Sequence, residues 1–215
     1  MSDPIVRVPA IDLAAVVPFR AHQDVRYYLD GVFVEPVPEG GCMIVATEGH
    51  MLAAIHSPAA RADQPRILRV EEGLENALRD NPEGNHDREI VVSDDKGRVT
   101  LHEHGAETFV QVGPPFIDGR YPEWRKPIPP IEHLKPGAPA ALQALYLARL
   151  WKTCRDRRHT GVFFSHDDRN PDNGVSIVQV VNRPGLIICI MAMKFDRAEW
   201  PTWMPREPAK AEVAA

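Results

Sequence analysis

Runs rich in β-branched and aromatic residues recur along the chain and alternate with stretches of helical periodicity, and this alternation constrains the fold more than any other feature. Strands are expected over 25–36, 42–57, 89–94, 98–104, 107–112, 161–166, 175–182 and 186–195. Gly40-Gly41 and Lys96-Gly97 are turn signals between neighbouring runs, which suits antiparallel hairpins. A short helix is expected over 11–20, with Leu13, Val16 and Val17 on one side and Pro18 limiting it. A second, over 71–80, places Val70, Leu74, Ala77 and Leu78 on one face, and a third, over 140–154, aligns Leu142, Leu145, Tyr146 and Leu150 in a stripe. In chain order a helix precedes two long strands, a helix precedes three, and a third helix precedes three more. The pattern predicts an α+β fold of repeated helix-plus-antiparallel-strand units.

A linker over 114–139, with eight prolines, separates the second unit from the third. The expected division is 1–133, 134–197 and a tail over 198–215, with the boundary near Leu134. The last residues, 209–215, have nothing to bury and are expected to be disordered. At 215 residues there is enough interior for one large domain or two small ones. No stretch approaches the ~20 apolar residues of a membrane span, and the N-terminus has no apolar signal core, so the expected compartment is the cytoplasm. Cys42, Cys154 and Cys189 cannot all pair with one another and stand in no metal-ligand spacing, so each is read as a small hydrophobe. The formal net charge of -5 argues against a surface coated for DNA but leaves room for a local basic patch.

Phosphate-binding, dinucleotide and nucleophile-elbow motifs are absent from the sequence. His102 and His104 would share a strand face, but no third ligand is in view, so an exposed pair is favoured over a metal site. The run 168–174 has a displaced glycine and an interrupting Pro171, and fits a hairpin turn better than a calcium loop. No cofactor and no catalytic constellation is expected, and the chain is read as a binding protein rather than an enzyme.

Four separated stretches carry a family resemblance, in order: AHQDVRYYLDGVFVE at 21–35, MIVATEGHMLA at 43–53, FIDGRYPEWRKPIP at 116–129 and IICIMAMKF at 187–195. Together they resemble the bacterial DNA polymerase sliding clamp, the beta subunit of polymerase III. They match its middle domain and the end of its last domain, so the chain resembles about one and a half clamp domains. The first clamp domain has no counterpart, and 134–185 aligns only loosely.

The resemblance implies a DNA-clamp fold, a homo-oligomeric ring around double-stranded DNA, and a processivity role in DNA replication. It also implies a hydrophobic peptide-binding groove for polymerase and repair-factor peptides. Leu29, Thr47, Gly49, His50 and Leu52 stand where the family places one wall, Pro122 and Lys126 at the next part, and Cys189, Met191 and Met193 on the far side. Leucine and methionine supply adaptable apolar contact there, and Gly49 would let a backbone approach. Met51 replaces a usual arginine, Ala192 a usual proline and Pro127 a β-branched residue, so the groove should be greasier and less basic. An alternative reading is a stand-alone peptide-binding fragment that regulates or competes with a full-length clamp.

Gln23, Tyr27 and Tyr28 match a turn that can touch DNA in clamps, with Arg20 and Arg26 as nearby cations. Pore helices need cations facing phosphates. The helix over 71–80 has the wrong sign, with Glu71, Glu72, Glu75 and Asp80 against Arg79. The last helix has the right one in Arg149, Lys152, Arg155, Arg157 and Arg158, though a solvated helix end reads equally well. Trp200 and Trp203 in the tail could occupy the groove as a mimic of a partner peptide or pack on the nearest sheet.

Overall fold

The computed structural model describes residues 4–79, 87–93, 97–137, 142–154, 161–169, 174–181 and 183–191. The expectations for Asp80, Lys96, Arg155, Arg157, Arg158, 170–173, Met193, Trp200, Trp203 and the tail lie outside the described residues.

The elements in chain order are β1 (Val6–Pro9), α1 (Ala10–Val16), β2 (Gly31–Pro36), β3 (Cys42–Thr47), β4 (Met51–Ser57), β5 (Arg61–Ala62), β6 (Arg66–Arg69) and α2 (Glu72–Arg79). They continue with β7 (Arg88–Val92), β8 (Arg98–Glu103), β9 (Ala106–Val112), β10 (Leu134–Pro136), α3 (Ala144–Cys154), β11 (Val162–Asp167), β12 (Val175–Val180) and β13 (Leu186–Met191). They form two antiparallel sheets, one ordered β5-β1-β7-β8-β9 and the other β10-β11-β12-β13-β4-β3-β2-β6.

The larger sheet is continuous because β13 pairs with β4, with Leu186 opposite Ile55 and Cys189 opposite Leu52. Its two faces follow the period of two. Ile44, Ala46, Met51, Ala53, Ile55, Ile188 and Ile190 join one core with Leu13 and Val16 of α1, Leu74 and Leu78 of α2, and Tyr146 and Leu150 of α3. Val6, Val8, Ile90 and Val99 of the smaller sheet enter the same core. The alternate residues Val45, Leu52, Ala54, Ile177 and Cys189 build a second cluster on the opposite face.

Local chemistry explains the element ends. Pro18 has no N–H to continue α1, and the chain tightens into a 3-10 turn over Val17–Phe19. At the start of α2, Gln111 accepts from the Glu71 N–H at 2.9 Å and donates to the Arg69 carbonyl at 3.3 Å. Gly73 lets α2 lie on β9, since a Cβ there would sit 2.2 Å from the Val110 carbonyl oxygen.

Several expectations are corrected. The run 25–36 is a strand only over Gly31–Pro36; Tyr27–Asp30 is a 3-10 turn. Asp24 nucleates that turn by accepting from the Arg26 N–H at 2.8 Å, a local bond that competes with a strand ladder. The run 42–57 is a hairpin, β3 and β4, folded at 48–50. Leu145 is 53% exposed, because α3 buries Tyr146, Leu150 and Thr153 instead. His104 sits at φ 49 in the turn after β8, so it does not share a strand face with His102. The strands β1, β5, β6 and β10 were not expected; all are short and take their identity from partners distant in sequence. The segment 114–130 is no free linker: the Ile117 N–H donates to the Ile67 carbonyl at 2.8 Å, and Phe116 bridges to Leu68.

Candidate functional site

The sheet face turned away from the helices is partly strapped by the proline-rich segment. Tyr121 stacks on Phe33 with centroids 4.7 Å apart and planes 4° from parallel. The Trp124 indole N–H donates to Glu35 at 3.3 Å, and Arg125 lies over the Trp124 ring at 4.0 Å while pairing with Glu35 at 2.8 Å. Ile117, Tyr121 and Trp124 thereby share one cluster with Leu29, Leu52 and Cys189.

The hairpin tip beside this cluster is held by its own side chains. The Thr47 hydroxyl donates to the Met51 carbonyl at 2.6 Å and accepts from the Gly49 N–H at 3.0 Å. The Glu48 carboxylate accepts from the Met51 N–H at 2.7 Å and the His50 N–H at 3.2 Å, and the His50 ring stands 3.3 Å away. Gly49 adopts φ 102, which a side chain would resist. Its open side already faces the Arg26 guanidinium, 3.0 Å from where a Cβ would stand. Arg26 also donates to the Glu48 carbonyl at 3.1 Å and pairs with Asp24 at 2.8 Å. That bonding holds the Asp24 carboxyl down at about 2.

The sequence-selected groove residues therefore divide into wall, lip and strap. Leu29, Thr47, Leu52 and Cys189 are buried. Burial pushes the Cys189 thiol up to about 12, so it is an apolar wall atom rather than a nucleophile. Met191 is 49% exposed and its N–H donates to the His50 carbonyl at 2.9 Å, which puts β13 beside the hairpin tip. Gly49 and His50 are exposed at that tip. Pro122 and Lys126 are exposed on the strap, where the Lys126 N–H closes a turn onto the Glu123 carbonyl at 3.1 Å.

The residues selected for DNA are less uniform. Gln23 is exposed at φ 55, and Tyr27, 57% exposed, meets the half-buried Tyr28 edge to face at 5.8 Å. Arg20 is not a surface cation: it is buried and donates to Glu75 at 2.7 Å, a correction forced by its place beneath α2. Arg149 lies 3.2 Å from Glu48, while Lys152 is exposed one turn further along α3. Glu48, which joins the hairpin tip to α3, was missed from sequence; its only signal was an acid beside the glycine of a tight turn. Among the described residues, no group of three His, Cys, Asp or Glu side chains could hold a metal ion. Among the described residues, no helix is long and apolar enough to cross a membrane.

No protein-family model matches the chain. It is 29% identical over 133 residues to the beta sliding clamp of Escherichia coli K12 and 31% identical over 134 residues to that of Salmonella typhimurium LT2. Each match covers 60% of this chain and 34% of the relative, so the chain matches about a third of those proteins' length. The fold is that of solved polymerase III beta subunits. The Pseudomonas aeruginosa structure aligns with TM-score 0.60 and 17% identity over 90% of this chain and 68% of its own. The Borrelia burgdorferi subunit, solved in complex with a natural product, aligns with TM-score 0.60 and 11% identity over 91% and 65%. In sequence and in fold this chain is similar to part of a sliding clamp.

Proposed function

We propose that this chain, built on the sliding-clamp fold, is a non-enzymatic, cytoplasmic binding protein of DNA replication or repair. It holds a polymerase or repair-factor peptide in a hydrophobic groove on the sheet face away from the helices. The units 1–133 and 134–197 correspond to a middle domain and the end of a last domain, joined along β4 and β13. The observation that carries this reading is the pairing of β4 with β13, which sets Leu52 opposite Cys189 and ties Met191 to His50. Residues far apart in sequence become one wall with an exposed methionine at its lip. Such a surface suits an extended peptide with a few apolar anchors.

Fluorescence anisotropy with a labelled clamp-binding peptide tests the groove. Saturable binding should weaken at least about tenfold in Met191→Ala and in Leu29→Ala, the scale of an anchoring contact. Met191 is half exposed, so its variant keeps the fold. No binding, or binding indifferent to Met191→Ala, would overturn the proposal.

Tethering to DNA through a homo-oligomeric ring extends the same reading. Its support is the position of β9 at the edge of its sheet among the described residues, with Phe109 and Val112 exposed, which would template pairing with another chain. The alternative, a fragment that competes with a full-length clamp without encircling DNA, draws on Arg20 and Arg149, both engaged by carboxylates. Mass in solution separates them: a ring needs a closed oligomer retained on circular DNA, and a monomer or simple dimer released from it favours the fragment.

A further inference from the structure

We propose that α3 is a dimer interface, its outward face packing antiparallel against the same face of a second copy of this chain. α3 is apolar on two sides. One side enters the core through Tyr146 and Leu150, and Thr153 on that side donates to the Ala15 carbonyl of α1 at 3.2 Å. The opposite side carries Ala144, Leu147, Ala148 and Trp151, at the i, i+3, i+4 and i+7 spacing of a helix-packing stripe. All four are exposed, Trp151 by 68% and Leu147 by 52%. A single exposed leucine is ordinary, but a continuous stripe ending in tryptophan marks an interaction face.

Strand pairing identifies the kind of partner that fits. The chain repeats a unit of a short strand, a helix and three strands, with the two-residue β5 between the first and second units. The first two units exchange their short strands: β1 pairs with β7 of the second, and β6 pairs with β2 of the first. α1 and α2 pack against each other in consequence. The third unit is odd, since β10 pairs with β11 of its own unit. A second copy brings another odd unit, and two of them restore the paired arrangement of the first two.

The stripe is also self-complementary. An isologous pair puts the two-fold axis between Leu147 and Ala148. Trp151 then lies opposite Ala144 of the second copy, and Leu147 opposite Ala148, large against small at each step. Lys152 lies opposite Gln143, so no like charges meet. A stripe built for an unrelated helix has no need to match itself when reversed. The face uses neither the peptide groove nor the edge of β9, so it stands or falls apart from the function proposed above.

Sedimentation equilibrium of the full chain at micromolar concentration tests the interface. The mass should be an even multiple of the 24.0 kDa chain. Trp151→Glu, at an exposed position where folding is not in question, should halve it. Ala144→Trp sets two large side chains opposite each other and should weaken association at least about tenfold. Combining Ala144→Trp with Trp151→Ala exchanges large for small and should restore it. A monomeric wild type, a mass unchanged by Trp151→Glu, or no recovery in the exchanged variant would each overturn the proposal.

Discussion

The two layers of the molecule use charge and apolar surface in opposite ways. On the sheet face away from the helices, side chains are fixed by register: Leu52, Cys189 and Met191 stand together because β4 and β13 pair. On the helix layer, cations spaced for contact with a polyanion are met by carboxylates from neighbouring elements, Arg20 by Glu75 and Arg149 by Glu48. A sheet converts sequence spacing directly into a surface. A helix layer does so only after the charges opposite have been counted.

The largest effect should come from breaking that neutralisation. Arg20→Ala strands the half-buried Glu75 with Arg79 alone and should cost about 3–5 kcal/mol in denaturant unfolding. Loss of DNA binding with full stability would instead make Arg20 a contact residue and dissolve the contrast between the layers. Next in size, Leu52→Ala removes a buried wall residue and should cost about 2–4 kcal/mol. Met191→Ala, at the half-exposed lip, should stay within about 0.5 kcal/mol of the wild type while losing peptide affinity. Equal destabilisation by the two would erase the distinction between wall and lip.

The fold was largely legible where periodicity was strong. The buried faces of α1 and α2 fell on the expected Leu13, Val16, Leu74 and Leu78, and the central strands of the large sheet stood where β-branched residues clustered. What escaped was set by partners elsewhere in the chain. β1 is four residues ending in a proline, and its pairing with β5 and β7 makes it a strand. The strap over 114–130 looked like punctuation because its ordering contacts, Tyr121 on Phe33 and Trp124 on Glu35, join residues nearly ninety positions apart. The residues nominated for a groove came from resemblance, and the pairing of β4 with β13 sets two of them, Leu52 and Cys189, opposite one another. Glu48 was not legible, since its role depends on Arg149 arriving from another helix.

Glu48→Gln probes the link between the layers with a smaller effect. The amide oxygen can still accept from the Met51 N–H, but the ion pair to Arg149 is lost. The expected cost is about 1 kcal/mol for this partly buried pair. Retention on a heparin column should rise as Arg149 is released. Unchanged retention would mean that Arg149 does not face solvent even without its partner.

The smallest effect sharpens the charge reading of the helix layer through pH. His22 has its imidazole held below the ordinary histidine range, first by partial desolvation, then by Arg20, with Arg149 acting the same way and Glu75 and Asp30 opposing. A folded-state value lower than the unfolded one means that the unfolded chain binds the proton more readily. Stability therefore rises with pH through this group. Its contribution is complete above the unfolded value of about 6.5 and is lost as pH falls from there toward the folded value. Melting temperatures of the wild type and His22→Asn, compared between pH 7.5 and 5.5, isolate the contribution because the other titrating groups are shared. The wild type should lose slightly more stability on acidification than the variant. A wild type that loses less would mean that the carboxylates of Glu75 and Asp30, not the arginines, set the field on the helix layer.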